Sequence, residues 1–227
     1  MTFSSEQRFL VTGASSGIGE GVALRLCELG AIGRDRVRLE TMRAKAVAPE
    51  RVFVECRDLA EDVGGLTDYV RELRERHGVL SGFVACAGAW EVGPLRVWDY
   101  ERERRLFDID YFAPLALLKG VCDRRNNVGA GTSCVLMSSA AVALADKGLC
   151  PYVGAKAALQ VSCRTLAKEL ASRRVSINTV APTVILTPMA RGGGEVYVES
   201  QRPRYPMGFG EVADVTHLIA FLLSDEA

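Results

Sequence analysis

Short, almost unbroken apolar runs alternate along the chain with longer stretches in which apolar residues return at helical spacing. The strand-like runs occupy 8–11, 51–55, 80–86, 134–138 and 175–180, and the helical stretches 18–29, 66–77, 100–124, 152–172 and 211–224. In the first helical stretch Ile18, Val22, Leu26 and Leu29 recur at i, i+4, i+8 and i+11, the spacing of one buried stripe. Strands that are apolar throughout, alternating with helices, predict an α/β fold whose parallel sheet is covered on both faces. Such sheets bind ligands in the crevice outside the carboxyl ends of their strands, so candidate chemistry is sought there.

Composition narrows the field. The 227 residues, 48% of them apolar, are enough for one core, and no low-complexity linker or repeat divides them, so a single domain over 1–227 is expected. Lys plus Arg number 28 and Asp plus Glu 28, a net charge of zero. Such a chain has no global field to recruit nucleic acid or an anionic membrane, and a small, weakly charged partner is expected. The polar N-terminus and the shortness of the first apolar run predict a soluble, cytoplasmic protein. Seven cysteines at irregular spacing (27, 56, 86, 122, 134, 150 and 163) form neither a C-x-x-C pair nor an even framework. Reduced thiols and no metal site are the expectation.

The first strand runs into TGASSGIG, Thr12 to Gly19, and then into a helix. Glycines at 13, 17 and 19 let the backbone turn tightly and approach a ligand, and the helix N-terminus offers unpaired N–H groups and a favourable dipole to a pyrophosphate. The spacing is not G-x-G-x-x-G, because Val22 stands where that motif ends, and no G-K-[ST] follows to make a P-loop. Further on, YVGAK places Tyr152 and Lys156 four apart, the spacing that aims both at one site from one helical turn. Ser139 lies thirteen positions before Tyr152 at the end of a strand. Its neighbour Ser138 must point to the other face of a regular strand.

These motifs, with an Asp after the third strand, a C-A-G at 86–88 and a Pro-Thr segment after the sixth strand, resemble the short-chain dehydrogenase/reductase family. The likeness is to its single-domain, 3-oxoacyl-carrier-protein-reductase-like form and covers nearly the whole chain. It implies a Rossmann-like doubly wound sheet and an NAD(P)-dependent oxidoreductase that interconverts a ketone and a secondary alcohol. It further implies that Tyr152 exchanges a proton with the substrate oxygen, that Lys156 favours the phenolate and binds the nicotinamide ribose, and that Ser139 holds the substrate oxygen. The cofactor residues it implies are Gly13, Ser15, Ser16, Gly17, Ile18 and Gly19 for the pyrophosphate, with Asp58 and Leu59 for the adenine. To these it adds Cys86, Ala87 and Gly88 beneath the ribose, and Pro182, Thr183, Ile185 and Thr187 for the carboxamide. Asp58 also reads as a helix N-cap, and both roles are compatible. Relatives form homodimers or homotetramers, and a homo-oligomer is expected here.

The chain departs from the family in three places. Asp110, in LFDIDYF, stands where the family has the Asn of its catalytic tetrad, and an ionised Asp accepts hydrogen bonds but cannot donate one. ELGAIGRDR, 28–36, leaves so few residues that the second strand is expected to be almost absent. FLLSDEA stops where the family continues into a final strand. Arg34 suits a 2′-phosphate if it keeps its place after the second strand, which favours NADP(H) over NAD(H), and otherwise reads as a solvated loop charge.

Other features read as structural. Trp90 and Trp98 suit a pocket or plain packing, His77 a helix end, His217 an ordinary helix position, and ERERR at 101–105 a solvated helix face. Residues 188–206, with GGG at 192–194, read as a substrate-covering loop. Two alternatives stay open: a nucleotide-binding or structural member of the same fold without turnover, and an epimerase or dehydratase sharing Y-x-x-x-K.

Overall fold

A computed structural model describes residues 3–4, 6–26, 29–192 and 195–227. The six strands are β1 (Phe9–Thr12), β2 (Leu29–Gly33), β3 (Val52–Cys56), β4 (Gly82–Ala85), β5 (Ser133–Met137) and β6 (Ser176–Val180). They form one parallel sheet in the order β3-β2-β1-β4-β5-β6. The helices are α1 (Gly17–Arg25), α2 (Arg36–Lys45), α3 (Leu66–His77), α4 (Tyr100–Phe107), α5 (Ala113–Val121), α6 (Ala141–Leu144), α7 (Cys150–Leu170), α8 (Pro188–Gly192), α9 (Glu195–Gln201) and α10 (Val212–Leu223).

Strand side chains alternate between two cores. Leu10, Phe83, Cys134 and Leu136 pack with α3, α5 and α7 on one face. Phe9, Val11, Val84, Val135 and Met137 pack with α1, α2 and α10 on the other. Strands β1, β4 and β5 are buried along their whole length because both faces are covered, which is why their sequences are apolar without alternation. No helix among the described residues is long and apolar enough to cross a membrane.

The second strand corrects the sequence reading. It forms over five residues and pairs with β1 and β3 in full register. Only its first residue, Leu29, was taken into the predicted first helix, which stops at Arg25, with Leu26 already extended at φ −89° and ψ 141°. Of the remainder of that helix, 27 and 28 lie outside the described residues and Leu29 begins the strand. The apolar stripe continued past the helix because a buried strand is apolar too. Glycine makes this strand fit: a Cβ on Gly30 would run into the Phe53 ring opposite it and lie 3.1 Å from Leu10 Cδ1. That ring cannot easily move, since it stacks on His77 with centroids 3.6 Å apart. After α10 no further strand occurs among the described residues.

Two other elements differ from expectation. The predicted helix over 100–124 is interrupted by a π-turn at Asp108–Phe112, where the Ala113 N–H reaches back five residues to the Asp108 carbonyl. Pro114 has no N–H with which to bond the Asp110 carbonyl, so the α-helical ladder cannot pass this point unbroken. The predicted loop over 188–206 holds α8, α9 and a 3₁₀ turn at Arg202–Arg204, with 193 and 194 outside the described residues. Pro188 and Pro203 stand in the first turns of two of these pieces, where a missing N–H costs nothing, while Pro206 lies in the turn that follows. Helix α10 was legible from Glu211, which with Asp214 makes a reciprocal cap.

Gly30→Ala is expected to lower unfolding stability by about 1–3 kcal/mol through overpacking against Phe53. A urea melt beside the parent protein checks this.

Candidate functional site

The sheet order reverses between β1 and β4, and their carboxyl ends open one crevice. The Ala87 N–H donates to Thr12 Oγ1 at 3.1 Å, tying the loop after β4 to the end of β1. Gly13, at φ +70°, lies so close that a Cβ there would be 2.7 Å from the Ala87 nitrogen. A Cβ on Gly19 would in turn strike the Gly13 carbonyl. The glycines thus let the first turn of α1, the loop before it and the β4 loop share one small volume. No side chain caps α1 at Ser16, so its first N–H groups are left to a ligand. This bare cradle fits the pyrophosphate of a dinucleotide.

From the cradle a cavity of about 710 Å³ extends across the carboxyl end of the sheet. Every residue expected from the sequence lines it: Gly13, Ser15 to Gly19, Arg34, Asp58, Leu59, Cys86 to Gly88, Asp110, Ser139, Tyr152, Lys156, Pro182, Thr183, Ile185 and Thr187. Ser138 also lines it but is buried, with Oγ on the Lys156 carbonyl at 3.3 Å. Ser139 is less buried and accepts from the Ala141 N–H at 3.2 Å. Pro151 in the first turn of α7 pre-sets the helix that carries Tyr152 and, one turn on, Lys156.

Lys156 crosses from α7 to the end of β5, where Nζ donates to the Met137 carbonyl at 3.0 Å. It also meets Asp110 Oδ1 at 2.9 Å, with side-chain exposures of 7% and 0%. The Tyr152 ring lies beside it, 5.9 Å from Nζ to the centroid. Burial alone would lower the Lys156 pKa, but Asp110 and Tyr152 outweigh it and hold the ammonium above its ordinary value. Burial pushes the Asp110 carboxyl above the usual carboxylate range, against the pull of Lys156 and of the Ala89 N–H. Burial also raises the Cys86 thiol to about 12, against the pull of the Lys156 charge, so it stays neutral at working pH.

In the loop after β3, Asp58 does not cap a helix: Oδ1 accepts from the Ala60 N–H at 3.0 Å, while α3 begins only at Leu66. Its Oδ2 accepts from Arg105 at 2.7 Å. ERERR is therefore not wholly a solvated face. Glu101 and Arg104 are exposed, but Arg102 and Arg105 turn to the cavity and pair with Glu91 and Asp58. Arg38 and Arg57 line the wall beside Arg34 and were missed, although the run of basic residues at 34, 36 and 38 was a usable signal. Trp90 also lines the cavity, its Nε1 donating to the Met189 carbonyl at 2.8 Å, whereas Trp98 stands outside it, half exposed. Asp146, on the cavity wall, pairs with Arg204 at 2.7 Å over 58 positions of sequence, a separation that no local pattern could reveal. His217 is an exposed position on α10.

Comparison with known proteins agrees with this arrangement. A family model described as enoyl-(acyl carrier protein) reductase matches residues 13–227. D-erythrulose reductase of Gallus gallus is 32% identical, over 97% of this chain and 89% of its own. A 3-oxoacyl-(acyl-carrier-protein) reductase of Staphylococcus epidermidis is 26% identical, over 96% and 91%. The crystal structure of a short-chain dehydrogenase from Burkholderia cenocepacia in complex with NADP superposes with a TM-score of 0.89 at 26% identity, over 97% of this chain and 91% of that one. Sheet order, glycine cradle, cavity and these matches together place the chain in the short-chain dehydrogenase/reductase family, as an NAD(P)-dependent oxidoreductase acting on ketone and alcohol groups.

Proposed function

We propose that the protein is an NADP(H)-dependent reductase of small ketones in which Ser139, Tyr152 and Lys156 carry the reaction. The reading rests on one observation above the others: these three side chains line the same cavity as the bare N-terminus of α1 and the glycine turn before it. Bound there, the nicotinamide supplies the hydride in reduction and accepts it in oxidation. The protein's part is to hold two reactants in line and move one proton. Ser139 Oγ donates to the substrate oxygen and stabilises charge that develops on it. Tyr152 Oη gives that oxygen a proton in reduction and takes one in oxidation. Lys156, with two of its three donors already used on Asp110 and Met137, offers the third to a ribose hydroxyl.

Preference for the 2′-phosphate is supported by three guanidinium groups on the adenine side of the wall, Arg34, Arg38 and Arg57. None of the acids that line the cavity follows β2 directly, where a ribose diol would need one. For the substrate, the wall shared with Tyr152 includes Asp146, Gln201 and Tyr205 beside Leu149 and Val198. Polar groups on a partly apolar wall suit a short hydroxylated ketone, the class to which D-erythrulose belongs, better than a long acyl chain.

Purified protein with NADPH and a panel of hydroxylated ketones and 3-oxoacyl thioesters tests the reading. Oxidation of NADPH with neither class would defeat it only if absent at every concentration tried; turnover with the thioesters alone would replace the substrate class.

Tyr152→Phe is expected to cut turnover about 10²- to 10⁴-fold while cofactor affinity stays within a few-fold, as loss of a proton donor requires. Retained rate would remove Tyr152 from the chemistry. Arg34→Ala is expected to weaken NADPH about tenfold with little effect on NADH, from loss of a charge-assisted bond; equal losses would take Arg34 away from the phosphate. Paired fluorescence titrations measure the affinities and NADPH oxidation at saturating substrate measures the turnover.

A further inference from the structure

The Asp110–Lys156 pair is closed and dry. Asp110 is fully buried, Lys156 nearly so, and the charged atoms are 2.9 Å apart. Two features of the chain build it. The π-turn at Asp108–Phe112 lies between α4 and α5, at the position that carries Asp110. Gly88 leaves the space the carboxylate fills, since a Cβ there would lie 2.5 Å from Asp110 Oδ1 and 3.5 Å from Lys156 Nζ. The Ala89 N–H lies 3.4 Å from each carboxylate oxygen. An amide at 110 would give the same shape without the charge.

The charge is what changes the site. The neighbours that face the pair are Tyr152 from α7, the neutral Cys86 thiol from the β4 loop and the Met137 carbonyl from β5. The acids elsewhere on the cavity wall have cationic partners of their own, Glu91 with Arg102, Asp146 with Arg204 and Asp58 with Arg105. With Asp110 ionised, the position under the nicotinamide end is formally neutral; with an amide there, the Lys156 ammonium would stand alone. An oxidised nicotinamide ring carries a positive charge and a reduced one does not, so only the oxidised form feels the difference.

We propose that Asp110 acts as a positioning residue that cancels the Lys156 charge beneath the nicotinamide and so biases the site towards the oxidised cofactor. This rests on the reading of the cavity as a dinucleotide site with Lys156 at its nicotinamide end. At separations of several ångströms and an effective dielectric of about 20–40, the carboxylate changes the relative affinity of the two forms by about tenfold.

The test compares Kd for NADP⁺ and NADPH, by calorimetric titration at one pH, in the parent protein, Asp110→Asn and Asp110→Ser. The ratio Kd(NADP⁺)/Kd(NADPH) is expected to rise about tenfold in both variants. A purely structural role would weaken both forms alike and leave the ratio unmoved, so an unchanged ratio in a folded variant overturns the proposal. Should the lone ammonium prevent both variants from folding, the parent protein decides. It is expected to hold NADP⁺ within about tenfold of NADPH, and a preference for NADPH beyond about a hundredfold overturns the proposal. Failure of the parent to bind either dinucleotide is a different result, and removes the cofactor reading together with this one.

Discussion

The approach of two backbones at the carboxyl end of the sheet governs the rest of the molecule. Gly13 follows β1 and the Cys86–Ala87 peptide follows β4, and they meet at a distance that leaves no room for a side chain on Gly13. The bond from Ala87 to Thr12 fixes that meeting, and it falls where the strand order reverses. Loops leaving the sheet there diverge to either side, so a crevice must open between them. The N-terminus of α1, the end of β5 and the first turn of α7 face it as a consequence of topology.

Inside the crevice the costliest arrangement is the Asp110–Lys156 pair. Taking two charges from water carries a penalty of several kcal/mol per ion, repaid only if partners are close and the remaining polar atoms are satisfied. Here Lys156 also reaches the Met137 carbonyl, and the carboxylate faces the Ala89 N–H. An interior pair of this kind contributes little net stability, and its place beside Tyr152 in the cavity fits a role in setting charge and position. The neighbouring thiol of Cys86 adds no charge of its own.

At the rim the balance is different. Arg102, Arg105 and Arg204 remain about half exposed, so their pairs with Glu91, Asp58 and Asp146 hold loops in place more than they stabilise the fold. They join α4 to the loops after β4 and β3, and the segment after α9 to the loop before α7.

Most of the fold was legible in the chain because it rests on local rules, and the expected site residues, which line one cavity, because their motifs resemble a known family. Fully apolar strands announced a sheet buried on both faces, TGASSGIG announced a strand-to-helix turn, and the spacing of Tyr152 and Lys156 announced two groups on one helical turn, to which the family resemblance added Ser139. Local rules failed where two structures share one pattern. Leu26 and Leu29 continued the stripe of α1 although that helix ends at Arg25 and Leu29 opens β2, and Pro188 and Pro203 marked helix starts as readily as loops. The sequence determined which candidate groups come to the cavity. Only the tertiary structure decided their electrostatic state, because the charge that Asp110 places against Lys156 and the arginines that meet Asp58 and Asp146 depend on contacts between residues 46 to 58 positions apart, set by packing and by no periodicity along the chain.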